Sequence, residues 1–134
     1  EGIRWDPPLT GIGRTCTKDT VVEGVLIPAG SPVHVCMAAA NRDPSVFAEP
    51  HRFVPDRENA RLQAAFAHGP HVCLGMHLAR LEMRVALELL LDRLPNLRFD
   101  PEGDDPHIRG QVFRSPTTLP VLFEARSATR GGNR

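Results

Sequence analysis

The sequence has no excess of either charge: sixteen lysine and arginine residues balance sixteen aspartate and glutamate residues. A neutral chain gives no electrostatic reason to expect nucleic acid or an anionic membrane as partner. It also lacks any apolar run long enough to cross a bilayer. The longest such segment, Val85 to Leu91, is interrupted by Glu88. Paired cysteines are missing too. Three of them, Cys16, Cys36 and Cys73, stand at irregular spacing, which argues against a disulfide framework and for a reducing compartment. No signal sequence and no internal repeat is recognisable. The expectation is a soluble, cytoplasmic protein without nucleic-acid or membrane contacts. The chain begins at Glu1 and not at methionine, as a piece cut from something longer would.

Its 134 residues fit one domain. A globular fold of that size buries roughly two-thirds of its unfolded surface, enough for a core. Thirteen prolines, most of them outside one helical segment, predict much turn and irregular backbone. Glu1 to Trp5 reads as the last turn of a helix, stopped by Asp6-Pro7-Pro8. Gly11 and Gly13 loosen the loop that follows. Val21 to Ile27, a turn at Pro28-Ala29-Gly30, and Pro32 to Met37 read as a β-hairpin. Asn41-Arg42-Asp43-Pro44 closes the strand region and can open a short helix. Glu49 to Arg61 is a polar, proline-containing meander. Leu74, Leu78, Leu81, Val85 and Leu89 then fall at helical spacing, as far as Leu94-Pro95. An acidic loop, Pro101 to Pro106, precedes a β-prone Leu119 to Phe123. The tail, 125–134, is expected to be disordered.

The chemistry concentrates in FAHGPHVCLGMHLAR, residues 66 to 80. His68, His71, Cys73 and His77 offer zinc four ligands. Structural zinc sites, however, usually draw on paired cysteines from separated knuckles, and these four crowd into ten residues. A cysteine nucleophile needs a partner imidazole and an oxyanion hole, which nothing else in the chain builds. An inert buried thiol leaves the flanking glycines unexplained. A haem thiolate accounts for more. A helix starting just after Cys73 turns its free N–H groups toward the sulfur. Gly69 permits a tight turn, Gly75 clears space for a flat macrocycle, and Phe66 can shield the sulfur from water.

From Phe66 to Gly75 the segment FAHGPHVCLG matches F-x-x-G-x-H-x-C-x-G, the haem-binding signature of the cytochrome P-450 family, at every fixed position. The resemblance is to the bacterial soluble type. Three further stretches resemble the family independently. Glu1-Gly2-Ile3-Arg4 matches its E-x-x-R motif. Pro55-Asp56-Arg57 is similar to its meander motif, with Glu58 where phenylalanine is usual, and its arginine would complete a Glu-Arg-Arg network. Arg14, ten residues past Arg4, stands where many members place a propionate-binding arginine. Leu78-Ala79-Arg80-Leu81-Glu82 and Phe113 to Pro120 also look like the family.

The resemblance implies an α+β segment: the C-terminal, haem-proximal part of the mainly-α cytochrome P-450 fold. It would hold a β-hairpin region, a meander and one long helix after the haem cysteine. Residues 1–124 would be the C-terminal portion of a single domain. Haem (iron protoporphyrin IX) is the implied cofactor, with Cys73 as its metal ligand. Arg14, Phe66, Gly69, His71 and Gly75 would bind it too, His71 and Arg14 at the propionates. His68 and His77 read as surface residues, and Cys16 and Cys36 as ordinary small apolar ones. The implied activity is a haem-thiolate monooxygenase inserting one atom of dioxygen into a small lipophilic substrate. Leu9 to Ile12 and Val112 to Thr118 would face that substrate. A ferredoxin-type donor would supply electrons, with Arg80 and Arg84 as candidate docking cations against the simpler reading of a solvated helix face. No catalytic residue falls within the chain, because the distal helix belongs to the missing N-terminal portion, so the fragment alone is expected to be inactive. Two other readings stay open: a non-catalytic haem-binding or partner module derived from such an enzyme, and a zinc-stabilised domain.

Overall fold

Asp6, extended at φ −140° and ψ 85° ahead of Pro7, ends helix α1 (Gly2–Trp5), as a residue before proline tends to do. This computed structural model describes residues 1–124; the tail expected to be disordered, 125–134, lies outside the described residues. The chain divides into two compact units. One comprises Glu1–Val72 with Arg109–Ser115, and the other Cys73–Ile108 with the described residues from Pro116 onward.

In the first unit four short strands form two antiparallel pairs. β1 (Ile12–Thr15) pairs with β4 (Pro32–Val35), and β2 (Thr20–Val22) pairs with β3 (Val25–Ile27). This corrects the predicted hairpin. The apolar run from Val21 to Ile27 is two strands, because Glu23 and Gly24 both take positive φ, 47° and 78°, and close a two-residue hairpin turn. The second half of the expected hairpin, β4, pairs instead with the segment that Gly11 and Gly13 were expected to loosen. Gly13 lies opposite His34 within that ladder. Gly11 is required by close approach: a Cβ there would meet the His34 imidazole and stand 2.7 Å from the Val35 carbonyl oxygen. The turn at Pro28 forms as expected, with the Ser31 N–H donating to the Pro28 carbonyl at 3.1 Å.

Met37 does not extend β4; it begins helix α2 (Met37–Ala40), and Asn41 ends that helix instead of opening one. Turns follow through the meander, with a 3₁₀ turn at Ala60–Leu62. The core of this unit is small and mixed. Met37 and Phe47 are its buried apolar side chains, and Arg4, Asn41 and Gln63 are buried with them. Arg4 lies 5.2 Å from the centre of the Phe47 ring, and Arg42 lies 4.6 Å from that of Trp5. Trp5 meets Phe53 edge to face at 6.0 Å.

The second unit is built on α3 (Met76–Arg93), which ends at Leu94 before Pro95, as predicted. β5 (Arg98–Phe99) pairs antiparallel with a strand at Val121–Leu122, at the predicted C-terminal site. Further two-residue strands fall at Ile108–Arg109 and Ser115–Pro116, where the chain passes from one unit to the other and back. Most apolar side chains of α3 are exposed, Leu78 at 60% and Leu91 at 70%.

Candidate functional site

Glu1, the N-cap of α1, and Arg4 within it stand one helical turn apart, so their side chains share a face. The Arg4 guanidinium donates through Nε to one carboxylate oxygen of Glu1 at 2.7 Å and through Nη2 to the other at 2.8 Å. Arg57 closes the cluster from the meander, its Nε 3.2 Å from both oxygens. The Val54 N–H adds a third donor at 3.0 Å. All three charged side chains are buried, at 2%, 0% and 7% exposure for Glu1, Arg4 and Arg57. The Arg4 guanidinium holds the Glu1 carboxyl far below its ordinary 4.5, at about 2. Burial opposes that fall; the Val54 N–H and Arg57 assist it.

The remaining donors of this cluster hold the meander itself. Arg4 Nη1 donates to the carbonyls of Asn41 at 2.7 Å and Pro50 at 3.0 Å, and Nη2 to that of Arg52 at 3.2 Å. Arg57 also donates to Arg52, at 3.0 Å, and to Ala48. Proline-rich backbone cannot satisfy its own carbonyls by helix or sheet, and two guanidinium forks do so instead.

The signature segment spans the join of the two units, and each part is described within its own. In the first unit Phe66 is half-buried, and Gly69–His71 forms a 3₁₀ turn. Gly69 has φ +77° with nothing within 4 Å of a Cβ, so its backbone conformation and not crowding demands glycine there. His71 ends that turn exposed. Arg14, on β1, is exposed and donates to its neighbour's carbonyl, that of Gly13, at 2.8 Å. It lines a cavity of about 340 Å³ with Ile12, Val35, Met37, Ala64 and His68. His68 is exposed, as expected of a surface residue, yet it shares this cavity with Arg14, which spacing along the chain did not signal.

In the second unit Cys73 is a free, exposed thiol. The helix starts three residues beyond it and not immediately after it: Gly75 caps α3, and the Cys73 carbonyl accepts the Met76 N–H at 3.2 Å. A Cβ built on Gly75 would find only the Cys73 sulfur nearby, at 4.0 Å. His77 is exposed on the first turn of α3. Among the described residues no group of three or more histidine, cysteine, aspartate or glutamate side chains is placed to hold a metal. A lone open thiol beside a glycine could hold a metal that a prosthetic group already carries.

Two segments far apart in sequence meet in the first unit. Leu9 bridges to Phe113, and the Thr10 N–H donates to the Val112 carbonyl at 3.2 Å. The Thr10 hydroxyl donates to the Gln111 carbonyl at 2.6 Å, and Arg114 pairs with Asp6 at 3.4 Å. These segments were expected to face substrate, and the fold brings them side by side. Cys16 is partly buried and Cys36 exposed just before α2. Among the described residues no helix is long and apolar enough to cross a membrane.

The family model for cytochrome P-450 matches residues 1–123. The chain is 40% identical over 123 residues to the steroid C26-monooxygenase of Mycolicibacterium smegmatis, covering 92% of this chain and 30% of that protein. It is 43% identical over 125 residues to the erythromycin C-12 hydroxylase of Saccharopolyspora erythraea, covering 91% and 31%. Among solved structures, P450BioI in complex with an acyl carrier protein carrying hexadec-9Z-enoic acid superposes with a TM-score of 0.84 at 39% identity, covering 91% of this chain and 31% of that one. CYP109E1 of Bacillus megaterium in complex with testosterone gives 0.86 at 29% identity, covering 92% and 34%. The chain thus spans about three-tenths of the length of the curated relatives it matches. Proteins of this family bind haem, iron protoporphyrin IX. With the ten-residue signature, the buried E-x-x-R cluster and a family match over nearly every described residue, the chain belongs to the cytochrome P-450 family.

Proposed function

We propose that residues 1–124 are the haem-proximal, C-terminal portion of a single cytochrome P-450 domain, and that the whole protein is a cytoplasmic haem-thiolate monooxygenase acting on a small lipophilic substrate. One observation carries this reading: Cys73 is an open thiol at the head of α3, in a ten-residue signature and with no rival metal cluster among the described residues.

In this reading Cys73 would hold the haem iron through its thiolate. When bound, the thiolate-ligated haem supplies the activation of dioxygen for insertion of one oxygen atom into a substrate C–H bond. The chain's own residues bind and orient. His71 and Arg14 would meet the propionates, Gly75 would keep side-chain bulk away from the macrocycle, and Gly69 supplies the positive φ of the turn before Cys73. Phe66 excludes water from the sulfur. The Glu1–Arg4–Arg57 cluster holds the meander. Leu9 to Ile12 and Val112 to Thr118 line the substrate side. The exposed apolar surface of α3 is the kind that packs into a larger core, in accord with an N-terminal portion that carries the distal helix. This chain alone is inactive in that scheme.

A ferredoxin-type protein is the proposed electron donor. Arg80 and Arg84 lie four residues apart on α3 and offer it positive charge. Arg84 is 3.8 Å from Glu88, both side chains well exposed, an arrangement worth little in isolation.

The ferrous–CO absorption spectrum of the haem-loaded full-length protein tests the assignment. A strongly red-shifted Soret band is expected, and Cys73→Ser should lose it while the protein stays folded. A red-shifted band that survives Cys73→Ser overturns the ligand assignment.

A further inference from the structure

Asn41 is fully buried and distributes its polar groups among three partners. Its backbone N–H closes α2 on the Met37 carbonyl at 3.0 Å. Its backbone carbonyl accepts from Arg4 Nη1 at 2.7 Å. Its side-chain oxygen, Oδ1, accepts the Ala64 N–H at 2.6 Å. One residue therefore ties the buried guanidinium of the E-x-x-R cluster to the backbone two residues before Phe66, where the signature begins. Ala40, next to Asn41 in the chain, and Ala64 itself line the cavity that holds Arg14.

The fourth polar group of Asn41 is informative because it is unspent. Nδ2 is buried without a hydrogen-bond partner among the described residues. Leaving a buried donor unpaired is costly, and a leucine of the same shape would avoid that cost. The asparagine is compensated only by what Oδ1 does. The Gln63 backbone, at φ −57° and ψ 146°, has already left the 3₁₀ turn, so the Ala64 N–H has no helical acceptor and depends on Oδ1.

We propose that Asn41 is a positioning residue for the signature loop: it fixes the Ala64 backbone relative to Arg4, so that the chain enters residues 66–75 in one orientation. Its bearing on haem rests on the reading of that loop given above.

Two readouts separate the inference from that reading: hydrogen exchange of the peptide covering 64–72, and the ferrous–CO spectrum, both on the full-length protein. Asn41→Leu keeps the shape and removes the acceptor. It should speed exchange of this peptide by at least about fivefold and move part of the CO band to the position of a non-thiolate haem. Asn41→Asp keeps an acceptor at Oδ1 for the Ala64 N–H, and should hold both readouts closer to the wild type than Asn41→Leu does. Ala64→Pro removes the N–H itself, and Gln63 already has the extended backbone that a following proline requires. In that background Asn41→Leu should change neither readout further. If Asn41→Leu alone is insoluble, recovery of soluble protein by adding Ala64→Pro supports the link, and failure to recover overturns it. Equal behaviour of the Leu and Asp variants, or wild-type exchange in Asn41→Leu, overturns it as well. If the wild type shows no red-shifted band while the exchange pattern holds, the haem reading fails and the positioning role stands.

Discussion

Arg57 reaches the carboxylate of Glu1 across 56 residues of sequence and binds both of its oxygens at 3.2 Å. That carboxylate already receives two hydrogen bonds from Arg4, at 2.7 and 2.8 Å. Two cations thus share one anion in a space with almost no solvent, and each uses its spare donors on meander carbonyls. Remove the anion and two guanidinium groups face each other unneutralised.

Glu1→Ala should therefore cost about 3–5 kcal/mol, the usual penalty for stranding a buried charge. Chemical denaturation of the full-length protein measures it. Arg4→Lys should not rescue function at that position, since a lysine cannot supply the five contacts that the Arg4 fork makes to Glu1, Asn41, Pro50 and Arg52. Stability of Arg4→Lys within about 1 kcal/mol of wild type would show that the fork geometry is unimportant.

The same cluster sets an acid limit. The folded-state Glu1 carboxyl titrates at about 2 against an ordinary 4.5. Its contribution is complete above 4.5 and is lost as pH falls from there toward 2, because the unfolded state takes up the proton first. Asp43, whose carboxyl is lowered by hydrogen bonds from Ser45, acts with the same sign. Stability measured from pH 6 down to pH 2 should fall less steeply in Glu1→Gln than in wild type. Identical slopes would exclude Glu1 as a source of the acid sensitivity.

The two signature glycines should respond differently to alanine. Gly69 has φ +77° and open space, so Gly69→Ala is penalised by backbone strain, about 1–2 kcal/mol, and Gly69→Asn by less. Gly75 has an ordinary φ of −82°. Gly75→Ala should leave the haem-free protein within about 1 kcal/mol of wild type while weakening haem binding, because the new methyl group stands beside the Cys73 sulfur. Haem titration together with denaturation of the haem-free form distinguishes the two effects.

The Glu23-Gly24 turn offers a test far from the haem loop. Both residues hold positive φ. Glu23→Asn should stabilise by a few tenths of a kcal/mol, and Gly24→Ala should destabilise by about 1 kcal/mol, as a turn with two left-handed residues prefers Asn-Gly. Thermal unfolding of the two variants, shifted in opposite directions, is the expected result.

Where the physics is local, the sequence determined the outcome. Proline ended α1 before Pro7 and α3 before Pro95, apolar spacing marked α3, and the fixed positions from Phe66 to Gly75 marked the loop around Cys73. Strand pairing was decided elsewhere. The residues of β2 and β3 are β-prone in any partnership, and the positive φ at both Glu23 and Gly24 broke the run into a hairpin. β4 found its partner at Gly11 to Thr15, where the absence of a side chain lets the His34 ring and the Val35 carbonyl come close. Glu1 and Arg4 were visible as a pair, because three residues bring two side chains onto one helix face. That Arg57 joins them was implied by the resemblance of Pro55-Asp56-Arg57 to the family's meander motif and by no local spacing. That Asn41 links them to Ala64, and that His68 shares a cavity with Arg14, depend on contacts between residues distant in sequence. Side-chain type tells what such a residue can bind. Only the folded backbone, by burying these groups away from water, decided which partner each one must have.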